Sequence, residues 1–250
     1  RSIYGNAFYR KTEKGTFVEV SDEVGVENYW PWGLSVGDLN ADGYEDVFIT
    51  SSMNYPFRYG VNSLLLNERG EKFLDSEFVL GVEPRRGNRT AKPWFALDCA
   101  GADSEHPRCK DQDGSIEIWG ALGSRSSAIL DLDGDGDLDI VTNEFNAAPQ
   151  VLISDLSEKR ELRFLKIDLE GTRSNRDGLG AIVKVRADGQ SYSKVRDGKS
   201  GYLSQSLMPL YFGLGDATVI EQVEVRWLSG HTQTLVGPIE TNKLLVIAEE

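Results

Sequence analysis

Short runs of alternating apolar and polar residues follow one another along the chain, and no stretch shows the 3.6-residue period of a long helix. The pattern also repeats. Residues 6–26 and 62–82 each give a short apolar strand, a polar turn with Gly, a strand containing Phe, and a Gly-Val pair, at an offset of 56 residues. A repeat of this length built from short strands is typical of a β-propeller, in which each repeat forms a blade.

A second repeated element lies at residues 33–50 and 127–143. Each copy gives a strand, an Asp-rich loop and a strand rich in β-branched residues, which predicts a hairpin. The copies are 93 residues apart, so we expect an insertion of about 37 residues between them, at about 84–120. About two and a half repeats then fit before residue 155, fewer than the four to eight blades of a closed propeller. We therefore expect a partial propeller, cut from the C-terminal part of a longer protein.

The pattern changes after residue 157, where the Asp-rich loops no longer occur. Seven strand-like runs follow, at 162–169, 181–187, 191–195, 210–212, 219–227, 232–236 and 244–248. Short strands separated by turns every eight to twelve residues favour a compact sandwich or barrel. The sequence therefore predicts an all-β protein in two parts. Propeller blades occupy residues 1–157, with the insertion at about 84–120, and a sandwich-like β domain occupies residues 158–250.

The two Asp-rich loops have the spacing of a cation site. Loop 1 (residues 38–46) and loop 2 (residues 131–139) place side-chain oxygens at positions 1, 3, 5 and 9, Gly at position 6 and a backbone carbonyl at position 7. Oxygen ligands in this number suit Ca²⁺ better than Mg²⁺, which keeps more of its waters. We expect two structural Ca²⁺ sites. Their ligands are Asp38, Asn40, Asp42, Tyr44 and Asp46 in loop 1, and Asp131, Asp133, Asp135, Asp137 and Asp139 in loop 2.

The alternative for each loop is an ordinary acidic turn, which would leave three or four carboxylates repelling one another. An EF-hand does not fit, because position 12 is Ile49 or Thr142 instead of Glu, and strands flank the loops. A third and weaker copy of the spacing, at residues 109–117, begins with Cys109. We expect a turn there, since a disulfide at Cys109 would remove the first ligand.

Composition and charge narrow the possible partners and the compartment. The 250 residues include 27 Lys and Arg against 40 Asp and Glu, a net charge of −13. This acidity argues against nucleic acid as a partner, and no apolar run approaches the ~20 residues of a transmembrane helix. Cys99 and Cys109 are the only cysteines and lie close together in the insertion. They favour a local disulfide and an oxidising compartment, with two unrelated thiols as the alternative.

Three further groups of residues allow either a functional role or a purely structural one. Aromatic residues in or near loops could stack on carbohydrate, although packing within blades is the commoner role: Trp30, Trp32, Trp94, Trp119, Tyr29, Tyr55 and Tyr59. Arg173, Asn175 and Arg176 lie in a Gly-flanked loop that could bind an anion or bond to its own backbone. The histidines His106 and His231 stand in turn-like segments, and familiar hydrolase motifs are missing from the sequence.

The motifs of the two halves resemble two known families. The Asp-rich loops, followed by Asn-x-Leu-x-x-Asn and Gly-x-x-Phe strands, resemble the FG-GAP or VCBS-type repeats of integrin α-chain-like propellers. The second half resembles the ASPIC/UnbV domain in Gly171-Thr-Arg-Ser-Asn175, Gly201-Tyr-Leu-Ser-Gln205, Phe212-Gly-Leu-Gly215-Asp and Val223-Glu-Val-Arg-Trp227. This arrangement is that of the cartilage acidic protein family and its bacterial relatives. The resemblance implies a seven-bladed, calcium-binding, extracellular or exported propeller with an interaction role.

These observations together predict a calcium-binding interaction module that is secreted, periplasmic or at the cell surface. Its partner is expected to be a protein or a polysaccharide, and no catalytic residues are expected. The alternative is an enzyme or an accessory factor in polysaccharide or secondary-metabolite processing. In that case the active site would lie in blades outside this chain or in the insertion at about 84–120.

Overall fold

The structure is a computed structural model that describes residues 6–28, 30–52 and 58–250, so Tyr29 and Tyr55 lie outside the described residues. Its regular elements are almost all strands, which confirms the all-β prediction. Up to residue 155 the strands are β1 (Tyr9–Lys11), β2 (Phe17–Glu19), β3 (Pro31–Gly37), β4 (Asp46–Ser51), β5 (Ser63–Glu68), β6 (Lys72–Asp75), β7 (Ala91–Asp98), β8 (Ser115–Ala121), β9 (Gly123–Leu130), β10 (Asp139–Phe145) and β11 (Gln150–Leu152). The α-helices are the four-residue α1 (Ser21–Val24) and α2 (Leu156–Lys159).

Strands β3 to β6 form one antiparallel sheet in which each strand pairs with the next along the chain. This is the strand order of a propeller blade. Strands β9, β10 and β11 form a second sheet with the same consecutive order. Gly37 pairs with Asp46 and Leu130 with Asp139 at the inner ends of the two hairpins. Both Asp-rich loops are therefore hairpin connections, as predicted.

Two further pairs of strands complete the first part. β1 and β2 pair with each other and correspond in the repeat to β5 and β6. β7 and β8 form a hairpin within the insertion, where Cys99 and Cys109 form the expected disulfide. Buried Leu97 and Ile118 pack with the two cysteines, so the insertion has a small core of its own. Within the described ranges, none of the sheets closes into a barrel or a ring.

All seven predicted strands of the second half are present. They are β12 (Phe164–Glu170), β13 (Ile182–Ala187), β14 (Gln190–Val195), β15 (Leu210–Gly213), β16 (Val219–Arg226), β17 (Thr232–Glu240) and β18 (Lys243–Ala248). They form two sheets, with strand orders β15-β12-β18 and β14-β13-β16-β17. Leu165 and Ile167 of one sheet share a fully buried core with Val183, Val223 and Val225 of the other. This layered core is sandwich-like, as the sequence predicted.

The segment between β14 and β15 reaches the inner strands of the first part. The Gly201 amide donates to the carbonyl of Leu34 in β3 at 3.1 Å. The Ser200 hydroxyl donates to the carbonyl of Ser127 in β9 at 2.9 Å. The Ser35 hydroxyl, also in β3, bonds to the same carbonyl at 2.9 Å. The segment therefore ties the two blade sheets to the C-terminal sandwich.

Candidate metal centres

Loop 2 brings three carboxylates together at the end of the β9–β10 hairpin. Asp131, Asp133 and Asp139 each offer an oxygen atom, and these atoms all lie within 4.8 Å of one another. Asp139 is buried, Asp131 is half-buried and Asp133 is exposed. The cluster is therefore open to solvent on one side and anchored in the protein on the other, an arrangement that a cation can enter.

Hydrogen bonds fold the two loops in the same way. In each loop the Gly at position 6 donates its amide to the Asp at position 1, from Gly43 to Asp38 at 2.8 Å and from Gly136 to Asp131 at 2.9 Å. The residue at position 2 donates to the Asp at position 9, at 2.8 Å in loop 1 and 2.7 Å in loop 2. Both loops thus curl their first and last carboxylates toward each other, as their shared spacing predicts.

Loop 1 differs from loop 2 in how its side chains are used. The side-chain amide of Asn40 donates to the carboxylate of Asp42 at 3.1 Å. The same carboxylate accepts the backbone amide of Tyr44 at 2.9 Å. Among the described residues, the group of three acids that meets the 4.8 Å condition belongs to loop 2. Position 3 accounts for part of this difference, because Asp133 of loop 2 is an acid whereas Asn40 of loop 1 carries no carboxylate.

Burial raises the free-energy cost of ionising the first and last carboxylates of loop 1. Asp38 and Asp46 are 2% and 0% exposed. Burial raises the pKa of Asp38 to about 7, against the opposing effect of the Gly43 amide. Burial likewise raises the pKa of Asp46 to about 7, and the charge of Asp38 adds to that rise. A bound cation would offset this cost, since an opposite charge within a few ångströms favours the ionised form.

Loop 2 also contains a buried oxygen without a hydrogen-bond partner. Asp137 is 1% exposed, and its Oδ1 atom has no donor within the described residues, while its Oδ2 accepts the Ser157 amide at 2.8 Å. An unpaired buried carboxylate oxygen is costly, because its lost hydration is not replaced. The clustered carboxylate oxygens of Asp131, Asp133 and Asp139 are hard ligands, and they fit a divalent cation such as Ca²⁺.

Residues outside the two loops donate hydrogen bonds to the last carboxylate of each loop, and the sequence pattern did not predict these bonds. The Asn67 amide donates to Asp46 at 2.8 Å, and the Ser154 amide donates to Asp139 at 2.8 Å. The corresponding donors thus come from β5 in one blade and from the segment after β11 in the other. The Asn-x-Leu-x-x-Asn motif that ends at Asn67 marks the strand, but no pattern indicated that the backbone amide of Asn67 or of Ser154 would reach these carboxylates.

The C-terminal sandwich contacts both loops. The Tyr211 hydroxyl donates to the Gly136 carbonyl at 3.0 Å, and Lys166 forms an ion pair with Asp131. The Gly215 amide donates to the Ala41 carbonyl of loop 1 at 3.1 Å. Gly136 has a φ of +101°, and a Cβ there would collide with the ring of Phe164. Glycine is therefore required at this position both by the turn and by the close contact.

The third copy of the Asp spacing is a turn. Cys109 at its first position is bonded to Cys99, so its sulfur is not a free ligand. Asp113 accepts the amide of Gly114 at 2.9 Å, and Asp111 has a φ of +60°. The disulfide therefore closes a short loop in the connection between β7 and β8, and the local disulfide that the sequence predicted is confirmed.

The aromatic residues fall into a packed group and an exposed group. Trp32 lies under the Arg125 guanidinium, 3.9 Å from ring centre to carbon, and meets Tyr202 edge-on. Trp94 and Trp119 on the insertion hairpin are 38% and 53% exposed. Trp94 also packs against Phe145 of β10 with ring centres 5.2 Å apart. The insertion hairpin therefore presents aromatic surface beside the second blade sheet.

Comparison with known proteins agrees with both halves of the structure. The model of the ASPIC and UnbV family matches residues 171–250, and that of the FG-GAP-like repeat matches residues 2–49. Loop 1 lies within the second match, and loop 2 lies outside both. Cartilage acidic protein 1 of Xenopus tropicalis is 24% identical over 281 aligned positions, which cover 97% of the chain. The chain spans 41% of the length of that relative.

Proposed function

Because the chain joins an FG-GAP-like repeat to an ASPIC and UnbV domain, we propose that it is a calcium-binding interaction module. In this proposal it acts in an extracellular or envelope compartment and binds a protein or a polysaccharide without transforming it. The observation that carries the proposal is the carboxylate cluster of loop 2, at the end of a hairpin whose geometry loop 1 repeats.

The proposed calcium ligands are those of the sequence pattern. In loop 2 they are the side chains of Asp131, Asp133, Asp135 and Asp139, with the carbonyl of Asp137. In loop 1 they are the side chains of Asp38, Asn40, Asp42 and Asp46, with the carbonyl of Tyr44. Bound Ca²⁺ would neutralise the acidic groups that close each hairpin, and it would thereby stabilise the two blade sheets.

We propose the division into blades at residues 1–157 and a C-terminal domain at residues 158–250. The separate core of the two C-terminal sheets supports this division. The Cys99–Cys109 disulfide supports an oxidising compartment, secreted, periplasmic or at the cell surface. In the part of the chain that the structure describes, no helix has both the length and the apolar character needed to cross a bilayer.

Isothermal titration of the EDTA-treated protein with Ca²⁺ tests the metal sites. We expect binding at two sites, with much weaker binding of Mg²⁺, which tolerates this ligand set poorly. Asp135→Ala should weaken binding at loop 2, while Asp113→Ala in the disulfide-closed turn should leave it unchanged. Absence of calcium binding, or equal effects of the two substitutions, would contradict the proposal.

Binding to immobilised polysaccharides and matrix proteins, in calcium and in EDTA, tests the partner. The exposed aromatic residues of the insertion hairpin are the first surface to examine, and Trp119→Ala should weaken binding to a polysaccharide if that is the ligand class. Conversion of a glycoside substrate that is abolished by substitutions in the insertion would instead support an enzyme.

A further inference from the structure

The carboxylate of Glu249 lies in a site built by two loops of the C-terminal sandwich. Its Oε2 atom accepts the backbone amides of Thr172, Arg173 and Ser174 at 3.0, 2.8 and 2.7 Å. Its Oε1 atom accepts the hydroxyls of Ser174 and Ser229 at 2.9 and 2.6 Å. Glu249 is 4% exposed. Five donors from two separate turns thus converge on one carboxylate.

The donor loop keeps its shape through contacts that do not involve Glu249. The Gly171 amide donates to the Arg176 carbonyl at 2.9 Å. The Asn175 side chain donates to the Leu179 carbonyl and accepts the Leu179 amide, both at 2.7 Å. A Cβ at position 171 would collide with the Asn175 carbonyl, so the loop requires glycine there. The amides are therefore directed at one point by the loop itself.

The donors that stabilise the negative charge of Glu249 are all neutral groups. Among the ion pairs of residues 6–28, 30–52 and 58–250, none includes this carboxylate. Successive backbone amides that point to one atom form a concave nest, an arrangement that binds anions. Hydrogen bonds to an ionised acceptor are about twice as strong as neutral ones. The site therefore recognises the charged carboxylate group.

We propose that loop 171–175 and Ser229 form a carboxylate receptor, which the chain fills with its own Glu249 and which accepts a separate carboxylate when Glu249 is withdrawn. Glu249 directly follows β18, and its amide donates to the Glu170 carbonyl at the end of β12 at 2.8 Å. The receptor thus holds the end of β18 in place, and release of this end exposes a preformed site for a carboxylate ligand. This inference does not depend on calcium.

Chemical rescue tests the receptor in the full chain at a fixed calcium concentration. Glu249→Ala removes the carboxylate and leaves space for acetate. We expect the variant to melt several degrees below the wild type, and sodium acetate to raise its melting temperature with saturation, as binding to the folded state requires. Sodium chloride at equal ionic strength should not do so. Glu250→Ala, an exposed neighbour with the same charge change, should respond to acetate as the wild type does.

Two further variants separate a receptor from a purely structural tie. Glu249→Gln keeps the site filled by an uncharged group, so acetate should not rescue it. Ser174→Ala added to Glu249→Ala should weaken the acetate effect by about tenfold in concentration, the equivalent of one hydrogen bond to a charged group. Equal responses of Glu249→Ala to acetate and to chloride would overturn the proposal. Should Glu249→Ala fail to fold in chloride, refolding in acetate decides, and recovery in neither salt also overturns it.

Discussion

Asp133→Asn should change the stability of the protein in opposite directions in the absence and presence of calcium. Asp133 is exposed, and its carboxylate accepts a long hydrogen bond from the Asp135 amide at 3.3 Å. An Asn oxygen at this position accepts the same amide. The substitution therefore removes a charge from the loop 2 cluster with little change in its local structure.

The magnitude follows from the spacing of the three carboxylates. The three oxygen atoms lie within 4.8 Å of one another, and two unit charges at that upper limit repel by about 0.9 kcal/mol in a medium as polar as water, which suits an exposed group. Asp133→Asn removes two such pairs, and Lys166 already offsets part of the charge of Asp131. Without calcium we expect the variant to be about 1–2 kcal/mol more stable than the wild type, or roughly 2–8 °C in melting temperature.

Calcium should reverse this order. At a free concentration a hundred times its dissociation constant, a bound ion stabilises the folded state by about 2.7 kcal/mol. The wild type should gain this amount at each of the two proposed sites. In Asp133→Asn the amide oxygen can still bind the ion, as Asn40 is proposed to do in loop 1, but loop 2 loses one negative charge. We expect its calcium affinity to fall by more than about tenfold, so that the gain at loop 2 drops by more than the advantage of the variant in EDTA. The variant should therefore be the less stable protein in saturating calcium.

Scanning calorimetry in EDTA and in calcium measures both differences. Asp113→Asn is the control, because it makes the same charge change in the turn at residues 109–117. In 1 M NaCl the Debye length falls to about 3 Å, so the advantage of Asp133→Asn in EDTA should shrink. A variant that is less stable than the wild type in EDTA would refute the repulsion argument. Equal calcium responses of the two proteins would refute a contribution of the Asp133 charge to calcium binding.

Three more predictions concern other parts of the fold. Cys99→Ser opens the short disulfide loop and should destabilise the insertion by up to about 3 kcal/mol on the chain-entropy model, seen as faster proteolysis between β7 and β8 than in the wild type. Gly136→Ala places a methyl group against Phe164, so calorimetry should show a cost of about 1–3 kcal/mol beyond that of Gly134→Ala, whose added Cβ meets no atom within 4 Å. For Glu249, burial raises the pKa, but the hydrogen bonds from Ser229, Ser174 and Arg173 outweigh it and lower the pKa to about 2. Its contribution is therefore complete above the unfolded pKa of about 4.5 and is lost toward pH 2, so the difference in melting temperature between the wild type and Glu249→Gln should shrink over that range.

Much of the fold was predictable because its information is local. Alternation with a period of two identifies a strand from its own residues, and all seven C-terminal strands were expected for this reason. The Asp-rich loops were predictable in the same way, since a hairpin connection and its Asp side chains lie within nine residues of one another. The sandwich followed from the number of strands and the spacing of the turns, without any knowledge of strand order.

The sequence did not predict the order of the strands, nor the hydrogen-bond donors outside the two Asp-rich loops. β12 pairs in parallel with β18, about 80 residues away in sequence, and nothing in either strand specifies the other. Ser154 and Asn67 support equivalent carboxylates from dissimilar segments. Both donors are backbone amides, which every residue except proline carries, so the side chains do not indicate which amide will reach a buried oxygen.

Loop 171–175 was predictable from its own sequence only in part. Its sequence predicted two alternatives, anion binding or bonding to its own backbone, and the structure contains both. Asn175 bonds within the loop and fixes its shape, and that shape directs the amides of residues 172–174 toward Glu249. The two interpretations are therefore steps of one mechanism, in which internal bonds preorganise the donors and a remote residue supplies the charge. The loop sequence specifies the receptor, and only the packing of β18 against β12 brings in its ligand.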